Sequence, residues 1–172
     1  MTQNLYVLAA LGVGIGSAVQ VAFIANLGRL RGATEASWIN MLASVVGLGA
    51  VLGWQAIRDD PPNLPSPFNS GWTYLAVLAI AGACLAVAMR GIAPYLAISG
   101  IFGFIYVFGA GWLAPKIGIA LFSATVTVGT LAGSVLLDHY GAFGADVQRA
   151  TLVRVVGLMA LFLGVVLVRS GR

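Results

Sequence analysis

The 172 residues carry nine basic and five acidic side chains, 8% charged in all, against 60% hydrophobic residues and a mean hydropathy of +0.98. A soluble domain holds about 25% charged residues, so these side chains cannot cover a water-facing surface, and the chain is an all-α, polytopic bundle lying in a lipid bilayer. The net charge of +4 comes from dispersed residues at segment ends, as headgroup-level cations are placed, and argues against a nucleic-acid partner.

Six apolar segments follow in chain order, and a span needs roughly 20 apolar residues. The first runs from about Leu5 to Leu27 and stops at Arg29, Arg31 and Gly32. It lacks the basic start of a signal peptide, so it is expected to remain as a span. The second runs from about Ala36 to Ile57, with Thr34 as expected N-cap and Glu35 in the first turn. Arg58, Asp59 and Asp60 end it. The loop from residue 58 to Ser70 contains Pro61, Pro62, Pro65 and Pro67 and is not helical throughout. The third segment, Trp72 to Met89, is the weakest span, with a re-entrant or surface-lying helix as the alternative. The fourth covers about Tyr95 to Ala114, between Pro94 and Pro115. The fifth covers Ile117 to Leu137 and ends at Asp138, His139 and Tyr140. A Gly/Ala-rich connection leads to the sixth, about Leu152 to Val168, where Arg154 can snorkel to the interface. Trp72, Tyr74, Tyr95, Trp112 and Tyr140 fall near these boundaries, as interfacial aromatics do.

Twenty-three glycines include the pairs Gly12/Gly16, Gly49/Gly53 and Gly129/Gly133, whose spacing lets helix backbones approach closely in lipid. Cys84 is alone and is expected as a small packing residue.

Polar residues fall on faces. At 100° per residue, Ser123, Thr127, Thr130, Ser134 and Asp138 lie within about 80° of one another. Ser37, Asn40, Ser44 and Gly47 form a second stripe, and Tyr95, Ser99 and Tyr106 a third. Gln20 looks towards neighbouring helices. These stripes suit a hydrated cavity for a small organic solute; the structural alternative is that each hydroxyl bonds the carbonyl one turn back. No charged residue sits near the middle of a segment, which argues against a charge-lined ion channel. Candidates for proton coupling are therefore Glu35, Asp138 and His139, at segment ends. Glu35 also serves to stabilise a helix end beside Arg29 and Arg31. With one His, one Cys and no metal-ligand spacing, an enzyme, a metal site or a cofactor is not expected. Gly12-x-Gly14-x-Gly16 lies inside an apolar span, outside any dinucleotide-binding context.

Orientation follows Lys/Arg imbalance. Six spans place Arg29, Arg31, Arg90, Arg149 and Arg154 on one side and Arg58, Lys116, Arg169 and Arg172 on the other, five against four. Without a crossing third segment the division is again five against four. Dual insertion with antiparallel pairing is one expectation; a single weakly favoured orientation is the other.

The stretches Gly100-Ile-Phe-Gly-Phe-Ile-Tyr-Val-Phe-Gly109, Ala114-Pro-Lys-Ile-Gly-Ile-Ala120 and Leu136-Leu-Asp-His-Tyr-Gly141 resemble the YdcZ-type inner-membrane exporters of the drug/metabolite transporter superfamily. Gly14-Ile-Gly-Ser-Ala-Val-Gln20 and Leu27-Gly-Arg29 are similar to that family's first helix. The likeness is read on segments one, two, four, five and six, with segment three as an addition to five core spans. It departs from the family at Ile24 and Thr130, where Asn and Gln are usual. The resemblance implies a bacterial inner-membrane bundle equivalent to half of a ten-helix transporter, with two halves in inverted topology.

The expected function is export of a small organic compound by alternating access as a dimer, with a homodimer or a related half as partner. Its site would comprise Gln20, Ser37, Asn40, Ser44, Ser99, Tyr106, Ser123, Thr127, Thr130 and Ser134. A non-transporting membrane scaffold is the alternative.

Overall fold

The computed structural model describes residues 2–58 and 63–170, with no description of the Thr2 side chain. Asp59, Asp60, Pro61 and Pro62, expected to end segment two and open the loop, lie outside the described residues, as does Arg172. Six α-helices account for most of the rest: α1 (Thr2–Arg31), α2 (Ala33–Ile57), α3 (Gly71–Ala88), α4 (Ile98–Ile117), α5 (Ile119–Tyr140) and α6 (Leu152–Ser170). All six are long and apolar enough to cross a bilayer. Their outer faces carry bare apolar side chains such as Trp38, Met41, Ile80, Val107 and Leu167, a surface that hydrocarbon solvates and water does not.

Glycines with positive φ stop the chain where helices meet. Gly32 (φ 95°) is the N-cap of α2, so Thr34 is not the cap; it lies inside the first turn, with Glu35 beside it. Gly118 (φ 80°) separates α4 from α5, and Gly141 (φ 59°) ends α5. Pro115 does not end segment four. It is accommodated within the last turn of α4, and the break falls at Gly118.

The chain forms two compact units, residues 27–104 and the remainder. In the unit of residues 27–104, α2 and α3 form an antiparallel hairpin: Gly53 faces Tyr74, Gly49 faces Leu78, and Gly71 faces Ala56. The Arg31 guanidinium donates to the Arg90 carbonyl at 2.6 Å, so α1 and α3 end at the same level. Segment three thus runs back along α2 as a continuous helix, long and apolar enough to span. The Tyr74 ring is buried in the first turn of α3, and its hydroxyl donates to the Phe68 carbonyl, tying the proline loop down. Cys84 is exposed on α3, not packed inside. The α4 helix crosses α2 where Gly100 meets Ala43 and Ser44; a Cβ at Gly100 would lie 2.6 Å from the Ala43 carbonyl carbon. Ser44 seals this crossing by donating to the carbonyls of Asn40 and Gly100, both at 2.9 Å.

In the other unit, α1 and α5 run parallel and touch through glycine. A Cβ at Gly14 would lie 3.0 Å from Gly129 Cα, and one at Gly133 would lie 2.8 Å from Ala18 Cβ. The close approach on α1 therefore runs through Gly14 and Ala18, and Gly12 takes no part in it. Gly12 is two residues away, about 200° round the helix, and its added Cβ would meet nothing within 4 Å. Thr130 closes this contact by donating to the carbonyls of Val126 at 2.9 Å and Gly14 at 3.1 Å. The core around it joins Ala10, Leu113, Ile117, Leu121, Phe122, Val126 and Val165. At one end of this unit, Lys116 sits over the rings of Trp112 (3.9 Å) and Tyr6 (4.8 Å), an arrangement suited to the headgroup boundary. At the other end, Phe143 holds a left-handed backbone (φ 57°) while its ring packs edge-on against Phe23, with centroids 4.4 Å apart.

Candidate functional site

The helix α5 leaves the core as a helix to Tyr140, three residues past the expected Leu137. Asp138 and His139 consequently sit in its last turn and keep helical directions. They point apart, as about 100° of separation requires, and each has its own partner. Asp138 forms an ion pair with Arg154 of α6 at 3.5 Å. The His139 Nδ1 accepts the Ala150 backbone N–H at 3.1 Å.

Backbone bonds fix this corner. The Asp138 carbonyl accepts N–H groups from Gly141 (3.2 Å) and Gln148 (2.9 Å), so the connection folds back onto the end of α5. Thr151 accepts the Arg154 backbone N–H at 3.4 Å and starts α6. The Arg154 side chain then reaches Gln148 Oε1 with Nη2 at 2.5 Å. Its Nη1 is shielded from solvent and makes no hydrogen bond, its nearest acidic group being Asp138. At 3.5 Å the pair is longer than the 2.7–2.9 Å of a charge-assisted hydrogen bond. A donor is thus available without breaking a strong bond.

Below the pair lies a crevice of about 360 Å³ between α5 and α6. Leu131, Ser134 and Val135 line it from α5, and Gly157, Leu158 and Leu161 line it from α6. Gly157 has open space where a side chain would be. The crevice thus has apolar walls, one hydroxyl and a carboxylate–guanidinium pair at one end. Such a site holds a compound with an apolar body and a polar or charged end. Asp138 and Arg154 are both partly exposed, 41% and 36%, so the pair contributes at most about 1 kcal/mol to stability.

The structure distributes the expected site residues between the two units. Ser37, Asn40, Ser44, Ser99 and Glu35 belong to residues 27–104; Gln20, Tyr106, Ser123, Thr127, Thr130, Ser134, Asp138 and His139 belong to the other. Of the fifth-segment stripe, Ser134 and Asp138 share the crevice. Thr127 donates to Ser123 O at 2.8 Å and Ser37 to Ala33 O at 2.9 Å, both one turn back on their own helices. Tyr95 falls on a 3₁₀ turn, Pro94–Ala97, which puts it out of helical phase with Ser99 and Tyr106. Ser99 is fully buried with no partner for its hydroxyl, and the Tyr106 ring lies 6.5 Å from that of Phe122. Arg154 was visible in the sequence only as an interfacial cation. Its pairing with Asp138 depends on the fold of the intervening connection, which carries no helical or strand period.

Residues 66–167, more than half of the chain, match the model of a family described as "Putative inner membrane exporter, YdcZ". The match begins in the loop before α3 and runs through most of α6, so it includes the third segment, which the residue-level likeness leaves out. No curated protein matches the chain, and no solved structure does.

Proposed function

The chain belongs to the YdcZ family of inner membrane exporters, and from that premise we propose that it exports a small organic compound bound in the α5–α6 crevice. The observation that carries this reading is the Asp138–Arg154 pair standing over an apolar-walled space. A substrate with an apolar body fits the walls, and its acceptor group takes the Nη1 of Arg154, which makes no hydrogen bond and is held only by the 3.5 Å ion pair. Protonation of Asp138 from outside weakens its hold on Arg154, and deprotonation restores it. That exchange couples one proton to one half-cycle. Asp138, Arg154 and Gln148 are polar side chains at this end, and the Nδ1 of His139 is occupied by the Ala150 N–H.

We further propose alternating access in a dimer of two copies in opposite orientations, which the near-equal Lys/Arg division favours. Efflux from proteoliposomes carrying a pH gradient tests the reading. Asp138→Asn is expected to lower pH-driven flux at least tenfold while the protein stays folded and monodisperse. Unchanged flux in that variant removes the coupling role. A scaffold reading draws on a different observation, that Ser37, Ser44, Thr127 and Thr130 spend their hydroxyls on backbone carbonyls. It predicts no flux at all for any compound tested.

A further inference from the structure

At the opposite end of α5 from the Asp138–Arg154 pair, a second cavity of about 300 Å³ lies between α1, α5 and α6. Its walls are Leu8 and Leu11, Val128, Phe162 and Val165. Two polar features interrupt them. Arg169, near the end of α6, lines the mouth and donates to Asn4 Oδ1 near the start of α1. Thr125 lines the slot deeper in; it is 2% exposed, and its hydroxyl has no hydrogen-bond partner.

Thr125 is the informative residue. On the same helix, Thr127 and Thr130 both donate to the carbonyl one turn back. Thr125 makes no such bond, although the option is open to any helical threonine. A buried hydroxyl without a partner forfeits its hydration with nothing in return, so an acceptor belongs beside it. Thr125 lies six residues into α5 from Ile119, about 9 Å at 1.5 Å per residue. The mouth lies at the helix ends, at the level of Tyr6, Trp112 and Lys116. The slot is thus almost wholly apolar, with a cation at its mouth at headgroup level and a buried hydroxyl about 9 Å in. Its volume is about ten times the roughly 30 Å³ share of one water molecule, room for part of an acyl chain.

We propose that this slot binds one anionic phospholipid of the surrounding bilayer. The phosphodiester sits on Arg169 and Asn4, an ester carbonyl accepts the Thr125 hydroxyl, and the first part of an acyl chain fills the space against Leu11 and Phe162. A zwitterionic lipid offers the same tail and ester but adds a cation beside Arg169, so the site discriminates by charge. The site stands apart from the α5–α6 crevice and does not depend on what the crevice carries.

Native mass spectrometry of the detergent-purified chain, titrated with phosphatidylglycerol or phosphatidylcholine, tests this. One phosphatidylglycerol per chain is expected, bound at least tenfold more tightly than phosphatidylcholine. Arg169→Gln should abolish that preference, and Arg169→Lys should retain most of it. Thr125→Val should weaken phosphatidylglycerol about three- to tenfold, the value of one hydrogen bond, without altering the charge preference. Arg90→Gln, in the other unit, should bind as the unaltered chain does. Circular dichroism confirms that each variant is folded; if Arg169→Gln unfolds, the Arg169→Lys and Thr125→Val pair decides. Equal binding of the two lipids, or a preference that survives Arg169→Gln, overturns the proposal. So does displacement of phosphatidylglycerol by decanoate at equal concentration, which would make the slot a site for free carboxylates.

Discussion

Single residues in this protein are best understood by which backbone they let approach and which carbonyl they reach. Gly129 presses on α1 so closely that an added Cβ would lie 3.1 Å from Gly14 Cα. Gly129→Ala is therefore expected to destabilise the bundle by roughly 1–3 kcal/mol, the usual cost of overpacking. Gly12→Ala, with open space around it, should be neutral within about 0.5 kcal/mol. Thermal unfolding in detergent separates the two. Thr130 and Thr127 form a similar pair. Thr130 reaches Gly14 on another helix, whereas Thr127 bonds only its own. Thr130→Val should cost about 0.6 kcal/mol, the mean for interhelical bonds in membranes, and Thr127→Val less.

The glycine spacing was legible in the sequence, but its phase on α1 was not. Gly12, Gly14 and Gly16 offer two interleaved faces, and only the partner helix selects between them. The directions of Tyr74 and Cys84 were hidden for a related reason. In a helix that is apolar all round, periodicity carries no inside and outside, so an aromatic near a boundary can turn inward and a cysteine outward.

At the scale of elements, hydropathy located all six helices, since a run of apolar residues is sufficient evidence for a span. Their ends depended on backbone chemistry that composition only suggests. Proline at position 115 read as a stop, yet Gly118 is where φ turns positive. Whether α3 crosses was not legible, because the Lys/Arg count is five against four either way. The α2–α3 hairpin favours a crossing and makes a prediction. With Cys84 replaced by alanine, cysteines introduced at Ser70 and Arg90 should be labelled from opposite faces of a sealed vesicle. Labelling of both from one face would mean that α3 does not cross. The Asp138–Arg154 pair was equally hidden. The two residues lie sixteen positions apart, and a turn containing Phe143 in a left-handed conformation brings them together.

For the whole molecule, lipid solvation and family membership were both readable from residues, and a match over residues 66–167 supports the second. The proposed inverted pairing has a direct readout. With all six helices crossing, the chain returns to its starting face, and cysteines at Gln3 and Ser170 should report alike. Under dual insertion each is labelled in part from outside and in part only after permeabilisation. Complete labelling from one face excludes antiparallel pairs.

Helix length has a consequence for the host membrane. The α3 rod has 18 residues and α1 has 30, rises of about 27 Å and 45 Å. Hydrocarbon about 30 Å thick is met by neither without adjustment. The long rod leans over or extends its polar ends into the headgroups, and the lipid beside the short one thins. Thicker, sterol-like or long-chain bilayers would therefore load the α2–α3 hairpin first, making that edge the one most sensitive to acyl-chain length.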